Sequence, residues 1–192
     1  MKSKLTTADT LHLTKNIWTD RLNNNKYPLP DTIGGRPVSF YLENQKVASI
    51  AKALYKGQFR PEDNDTTTQL LSLVVTDDSI IRPFYRWCLD FTISISDGAL
   101  GEYPGTPALK YATKFPQEFF AYMDKDTSGQ RYKEWTEIIA YSGLSNYDET
   151  NSEIERKIIQ DLLTNCKSCN ANLKTRISKF AKDVLKATRL QD

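Results

Sequence analysis

Two cysteines three residues apart, Cys166 and Cys169 in the stretch CKSC, have the spacing of a dithiol site. Such a pair can perform thiol–disulfide chemistry when a helix N-terminus lowers a thiol pKa, and a basic helix is predicted directly after it. The surrounding strand–helix–strand pattern of redox proteins is missing, however. Cys88 and Cys166 both continue apolar helix stripes, where structural cysteines are common. We therefore interpret the pair as core or helix-end cysteines.

A thiol- or metal-dependent enzyme centred on Cys166 and Cys169 stays open as an alternative function. Tetrahedral zinc needs four ligands, and the other nitrogen and sulfur candidates, Cys88 and His12, lie far away along the chain. His12 is the single histidine and has leucines on both sides, so it is better suited to packing than to catalysis. The sequence predicts no catalytic residue, no metal ligand and no cofactor.

The stretch DKDTSGQRYKEW, residues 124–135, begins like a calcium-binding loop. Asp124, Asp126, Ser128 and Gly129 match its first half, where oxygen ligands precede a glycine. Its twelfth position, which should supply a bidentate glutamate, is Trp135. We therefore predict a turn between two helices, not a calcium site.

Basic and aromatic residues alternate in four segments of the chain. Aromatic faces beside cations are typical of proteins that bind single-stranded nucleic acid. The competing explanation is that long basic side chains cover aromatic rings at the edge of a core. From these segments we predict Arg86 and Arg131 as partner-binding residues. The four segments are LYKGQFR (54–60), FYRW (84–87), KYATKF (110–115) and RYK (131–133).

The C-terminal region separates its charges into an acidic and a basic segment. Residues 148–161 contain five acids and two bases, whereas residues 167–189 contain seven bases and one acid. A basic helix of this kind could contact nucleic acid or an acidic protein partner. Alternatively, the two segments form a helical hairpin whose arms neutralise each other through Glu153, Glu155 and Asp161. The predicted contact residues here are Lys174, Arg176, Lys179, Lys182 and Lys186.

Helical periodicity dominates the chain and predicts an all-α fold. We expect a compact, bundle-like domain of about seven or eight helices over residues 1–192, with a C-terminal helical hairpin and a possible sub-boundary near 97–106. A first helix is predicted over 8–23, Asp65 is predicted to cap a later one, and Pro116 to restart another. Apolar stripes define the last two helices. RPVSFYL (36–42) is the one segment with the composition of a strand.

Composition limits the possible functions. The chain has a net charge of +2, so nucleic-acid binding can be argued only from local patches. It contains no run of apolar residues as long as a signal peptide or membrane span, and we expect a cytoplasmic protein without a membrane partner. Our interpretation is a non-enzymatic helical binding or adaptor protein whose partner is single-stranded nucleic acid, a nucleoprotein assembly or an acidic protein. A structural oligomer subunit is the third alternative.

Overall fold

The computed structural model describes residues 29–145 and 147–188. The all-α prediction is confirmed, because these residues form nine α-helices and a single two-stranded hairpin. The helix predicted over 8–23, and His12 within it, lie outside the described residues. The helices are α1 Val38–Glu43, α2 Ser49–Tyr55, α3 Asp65–Ser72, α4 Arg82–Ile95, α5 Gly105–Lys114, α6 Pro116–Met123, α7 Gln130–Ile138, α8 Asn151–Asn165 and α9 Ala171–Thr188.

Contacts between residues divide the chain into two compact units, which meet in sequence at Ile95 and Ser96. Unit 1 is the part up to Ile95, and unit 2 is the part from Ser96 onward. The division falls next to the sub-boundary that we predicted near 97–106. Whether the chain behaves as one domain stays a prediction.

The segment RPVSFYL in unit 1 is not the strand that its composition suggested. Only Arg36–Pro37 is extended, in a hairpin with Thr32–Ile33, and α1 begins at the next residue. The turn of this hairpin consists of Gly34 and Gly35, both with positive φ. Val38 and Tyr41 are three residues apart and both buried, so a helix places them on one side. Burial of that side outweighs the strand propensity of the segment.

Aromatic rings form the core of unit 1. Phe84 of α4 is fully buried and stacks on Tyr41, with ring centroids 5.0 Å apart. Trp87 lies against the other side of this group, 5.8 Å from Phe84 and 5.3 Å from Tyr55. Two of the four basic–aromatic segments therefore supply rings to this core. One capping prediction is corrected here: Asn64, not Asp65, accepts the N–H of Thr67 and starts α3.

Unit 2 is held together by a close approach of α5 to the π-helical segment Ile139–Gly143 that follows α7. The Ser142 hydroxyl accepts a hydrogen bond from Gly105 N (3.1 Å) and donates one to Gly101 O (2.8 Å). A Cβ atom on Gly105 would lie only 2.4 Å from Gly143 N, so no side chain fits there. The absence of a side chain at Gly105 lets the two backbones touch.

We expect Gly105→Ala to lower the free energy of unfolding by about 1–3 kcal/mol, since the added methyl group collides with rigid backbone. Gly101→Ala is the control: a Cβ there meets the ring of Tyr141 at 3.1 Å, and that ring is exposed and can move. Urea denaturation of both variants measures the difference. Equal stabilities of the two variants would contradict the close approach.

Residues 124–129 form the turn that we predicted, between α6 and α7. Asp126 organises it: one carboxylate oxygen accepts from the Ser128 hydroxyl and N–H, and the other accepts from Arg131 N at 2.7 Å. Gly129 follows with a φ of 72°. Asp124, the other candidate calcium ligand, is paired with Arg176. Both carboxylates thus have partners within the protein.

The hydrogen bonds from Ser128 and from Arg131 N lower the pKa of Asp126 to about 2. The unfolded carboxyl group has a pKa of about 3.9. Its contribution to stability is therefore complete above that value and is lost as the pH falls toward 2. We expect Asp126→Ala to melt at a lower temperature than wild type at neutral pH, and the gap to close near pH 2.

Thermal melting between pH 7 and pH 2 tests this expectation. Asp148→Ala, which removes an exposed carboxylate elsewhere in unit 2, is the control. A gap between wild type and Asp126→Ala that stays constant down to pH 2 would contradict the role of the carboxylate.

Candidate functional site

The last helix, α9, is anchored in unit 2 by its apolar side. Ile177, Phe180 and Val184 are fully buried, as the stripe in the sequence predicted. The Phe180 ring lies 5.1 Å from Phe119 of α6 and 6.2 Å from Tyr132 of α7. At its N-terminus α9 is capped by the Asn170 side chain, which accepts from Leu173 N. The opposite side of the helix therefore faces solvent.

The predicted C-terminal hairpin is confirmed, because α9 packs directly on α8. The stripe of α8 is buried as expected, at Ile154, Ile158, Leu162 and Cys166. A capping box between Thr150 and Glu153 starts α8.

Two polar contacts set the rotation of α9 about its axis. Arg176 donates two hydrogen bonds to the carboxylate of Asp124, at 3.0 and 2.5 Å, and its guanidinium lies over the Phe120 ring. About two turns further along, Asp183 accepts from the Tyr132 hydroxyl at 2.8 Å and also pairs with Lys179. Burial, and then the bond to Asp183, raise the pKa of Tyr132 well above its usual range.

Three lysines remain on the exposed side of α9: Lys174, Lys182 and Lys186. Within residues 29–145 and 147–188, none of them has a carboxylate partner. Their spacings of eight and four residues place them along an oblique i, i+4 row that rises about 18 Å along the helix axis and turns through about 120°. We call these three residues the lysine row.

The alternative interpretation of the C-terminal charges required acids of α8 to pair with bases of α9. No ion pair joins an acid of α8 to a base of α9 in the part of the chain that the structure describes. Glu153 instead accepts from Thr150 in the capping box, and Glu149 pairs with Lys157 at 3.0 Å. These hydrogen bonds lower the pKa values of both glutamates. Two acids of the segment 148–161, Glu149 and Glu153, thus have partners within that segment.

The remaining predicted contact residues do not lie on the lysine row. Arg86 belongs to unit 1 and is 6% exposed, so its guanidinium is not at the surface. Arg131 is half-buried: its guanidinium lies 4.4 Å from the centre of the Tyr122 ring and donates to Tyr122 O. Arg176 and Lys179 lie on α9, but each is paired with an aspartate. We leave Arg86 and Arg131 out of the candidate site.

Cys166 and Cys169 form a disulfide between the end of α8 and the start of α9. The sequence located the pair at a helix end but did not predict the bond. The third cysteine, Cys88, is fully buried in α4, and burial raises the pKa of its thiol far above the usual range. The described residues contain no group of three or more histidine, cysteine or acidic side chains that could hold a metal ion.

A shallow groove between α7 and α9 runs beside the lysine row and was not predicted. Its volume of about 220 Å³ is smaller than a usual small-molecule pocket. A groove between two helices leaves no pattern in either helix, so the sequence could not indicate it. The lining residues are Tyr132, Lys133, Thr136, Glu137, Asp183, Lys186 and Ala187.

Comparison with protein-family models, curated proteins and solved structures finds no match to this chain. The functional argument therefore depends on the residues themselves. Among the described helices, none combines the length and the apolar character needed to cross a membrane.

We expect Arg176 to act mainly by orienting α9. Arg176→Gln and Asp124→Asn should each lower stability, with a measurable coupling in a double-mutant cycle of less than about 1 kcal/mol, because the pair is partly exposed. Urea denaturation of the four proteins gives the coupling. A coupling of zero would mean that α9 is oriented without this ion pair.

Proposed function

We propose that this protein is a non-enzymatic binding protein whose lysine row contacts the phosphate backbone of nucleic acid. The observation that carries the proposal is the set of three exposed lysines, Lys174, Lys182 and Lys186, that have no carboxylate partner among the described residues. A cation whose charge is not offset by a neighbouring acid can neutralise a phosphate and release its counterion.

The composition of the exposed side of α9 favours phosphate over a protein partner. Its other exposed residues include Asn172 and Thr175, and Ser178 is partly exposed. Polar side chains of these types donate to phosphate oxygens. Protein–protein interfaces, in contrast, are enriched in aromatic residues and arginine and depleted in lysine. No aromatic side chain is found on α9 apart from Phe180, which is buried.

The basic–aromatic segments give less support to stacking on bases. Tyr55, Phe84 and Tyr111 are buried and their rings pack on other rings of the protein, and Tyr85 is buried as well. Burial of these rings agrees with the competing explanation, in which basic stems border an aromatic core. The proposed contact is therefore with the backbone, and we expect little preference for base sequence.

Replacing the lysine row by glutamine (Lys174→Gln, Lys182→Gln and Lys186→Gln together) should weaken binding to a fluorescently labelled single-stranded oligonucleotide. The slope of log K against log salt should fall by roughly two units, because each lost phosphate contact contributes about 0.7. Stability should change little, since all three side chains are exposed. Fluorescence anisotropy over a salt series measures the slope.

The matched control removes three other exposed lysines of unit 2 by Lys110→Gln, Lys114→Gln and Lys125→Gln. It loses the same charge but should keep most of the salt slope. If both triple variants lose the same affinity for the oligonucleotide, the binding depends on net charge and not on the lysine row. No binding by the wild-type protein at low salt would refute the proposal, and binding to an acidic peptide instead would favour a protein partner.

A further inference from the structure

The Cys166–Cys169 disulfide lies at the base of the hairpin that carries the lysine row, and the proposed phosphate contacts do not use it. Cys166 is the C-cap residue directly after α8, and Cys169 directly precedes Asn170, the N-cap of α9. The bond therefore ties the residue after α8 to the residue before the N-cap of α9, across Lys167 and Ser168.

The two sulfurs differ in access to solvent. Cys166 is 8% exposed and belongs to the apolar stripe of α8, whereas Cys169 is half-buried and follows two exposed residues. Thiol–disulfide exchange needs a path for the attacking thiolate to one sulfur of the bond. Cys169 is the more exposed of the two residues, so we place the attack at its sulfur.

The hairpin has other interactions that keep it folded when the bond is broken. Ile158 and Leu162 of α8 and Ile177 of α9 are fully buried. The Asn170 cap of α9 is made by its own side chain and needs no sulfur. Breaking the bond should thus loosen the segment from Cys166 to the first turn of α9 and leave the rest of both helices in place.

We propose that Cys166 and Cys169 form a reversible redox site that controls how firmly the start of α9, and with it Lys174, is held. The reactant is a dithiol, either a small molecule or the dithiol of a reducing protein. The effect on binding rests on the proposed nucleic-acid contact of the lysine row, whereas the redox site itself does not. Such bonds persist in oxidising compartments and are reduced in the cytosol, so the pair responds to its surroundings.

Reduction of the Cys166–Cys169 disulfide needs no reactant other than a dithiol. Its first thiolate attacks Cys169 Sγ, forming a mixed disulfide, and Cys166 leaves as a thiolate that takes up a proton. The second thiolate of the reductant then attacks the reductant sulfur that is bonded to Cys169 Sγ. This step releases the Cys169 thiolate, which also takes up a proton. The protein gains two electrons and two protons, and the reductant becomes a cyclic disulfide.

The test compares air-oxidised protein with protein reduced by dithiothreitol. Under denaturing conditions without reductant, the oxidised chain should show one titratable thiol, that of Cys88, and the reduced chain all three. Hydrogen exchange of the amides in 166–174 should speed up on reduction, while α5, α6 and α7 stay unchanged. Three thiols in the oxidised protein, or unchanged exchange in 166–174, would overturn the inference.

Binding provides a second arm, with variants as controls. Reduction should weaken binding to the labelled oligonucleotide roughly threefold, because Lys174 is less well positioned. Cys166→Ser/Cys169→Ser should match the reduced protein and ignore dithiothreitol, and Lys174→Gln should lose the redox effect while Lys186→Gln keeps it.

The two proposals fail in different ways. Absence of all binding would refute the nucleic-acid contact, and the exchange measurement would still decide on the redox site. Binding that is strong but equal in the oxidised and reduced forms would refute the control of Lys174 and leave the nucleic-acid contact intact.

Discussion

The burial of Phe180 is the constraint on which the candidate site depends. Its ring is fully enclosed and contacts rings of α6 and α7, and a buried phenylalanine contributes about 1.5–3 kcal/mol to stability. With this ring inside, the helical repeat decides which side of α9 faces outward. Arg176 and Asp183 then make polar contacts that only this rotation allows. Lys182 and Lys186 are exposed because Phe180 and the residues buried with it hold the other side of α9 inward.

The distribution of charge in the hairpin shows why segregation along a sequence is not the same as pairing in space. Helices that pack through apolar stripes turn their charged sides away from each other, toward solvent. There, a pair within one helix or its cap forms at lower entropic cost than a pair between two helices. Glu153 and Lys157 accordingly find partners within or next to α8, and Lys179 finds Asp183 four residues along α9. Lys174, Lys182 and Lys186 form no ion pair among the described residues; Asp183 lies three residues before Lys186, but its carboxylate is bound by Tyr132 and Lys179.

Many aromatic residues of the chain pack in the cores of the two units. Phe84, Tyr41 and Trp87 assemble one cluster in unit 1, and Phe119, Trp135 and Phe180 another in unit 2. Basic residues in the same segments, such as Arg131, lie over ring faces at the border of these clusters. The pattern that resembled a stacking surface for bases is thus a feature of how these cores are closed. The exposed side of α9, in contrast, consists of lysines and small polar side chains.

The sequence by itself determined the elements whose signals are local. The apolar stripes of α8 and α9, the restart at Pro116 and the turn around Asp126 were all predicted, because each depends on residues within one or two helical turns. The strand-like composition of RPVSFYL is realised only at Arg36–Pro37, since the burial of Tyr41 against Phe84, 43 positions away in the sequence, outweighs local propensity. Only the tertiary structure paired Arg176 with Asp124, placed Arg86 in the interior and joined Cys166 to Cys169. The physical reason is the same in each case: periodicity tells which side of a helix is apolar, but the partner of a side chain depends on which other element comes to face it.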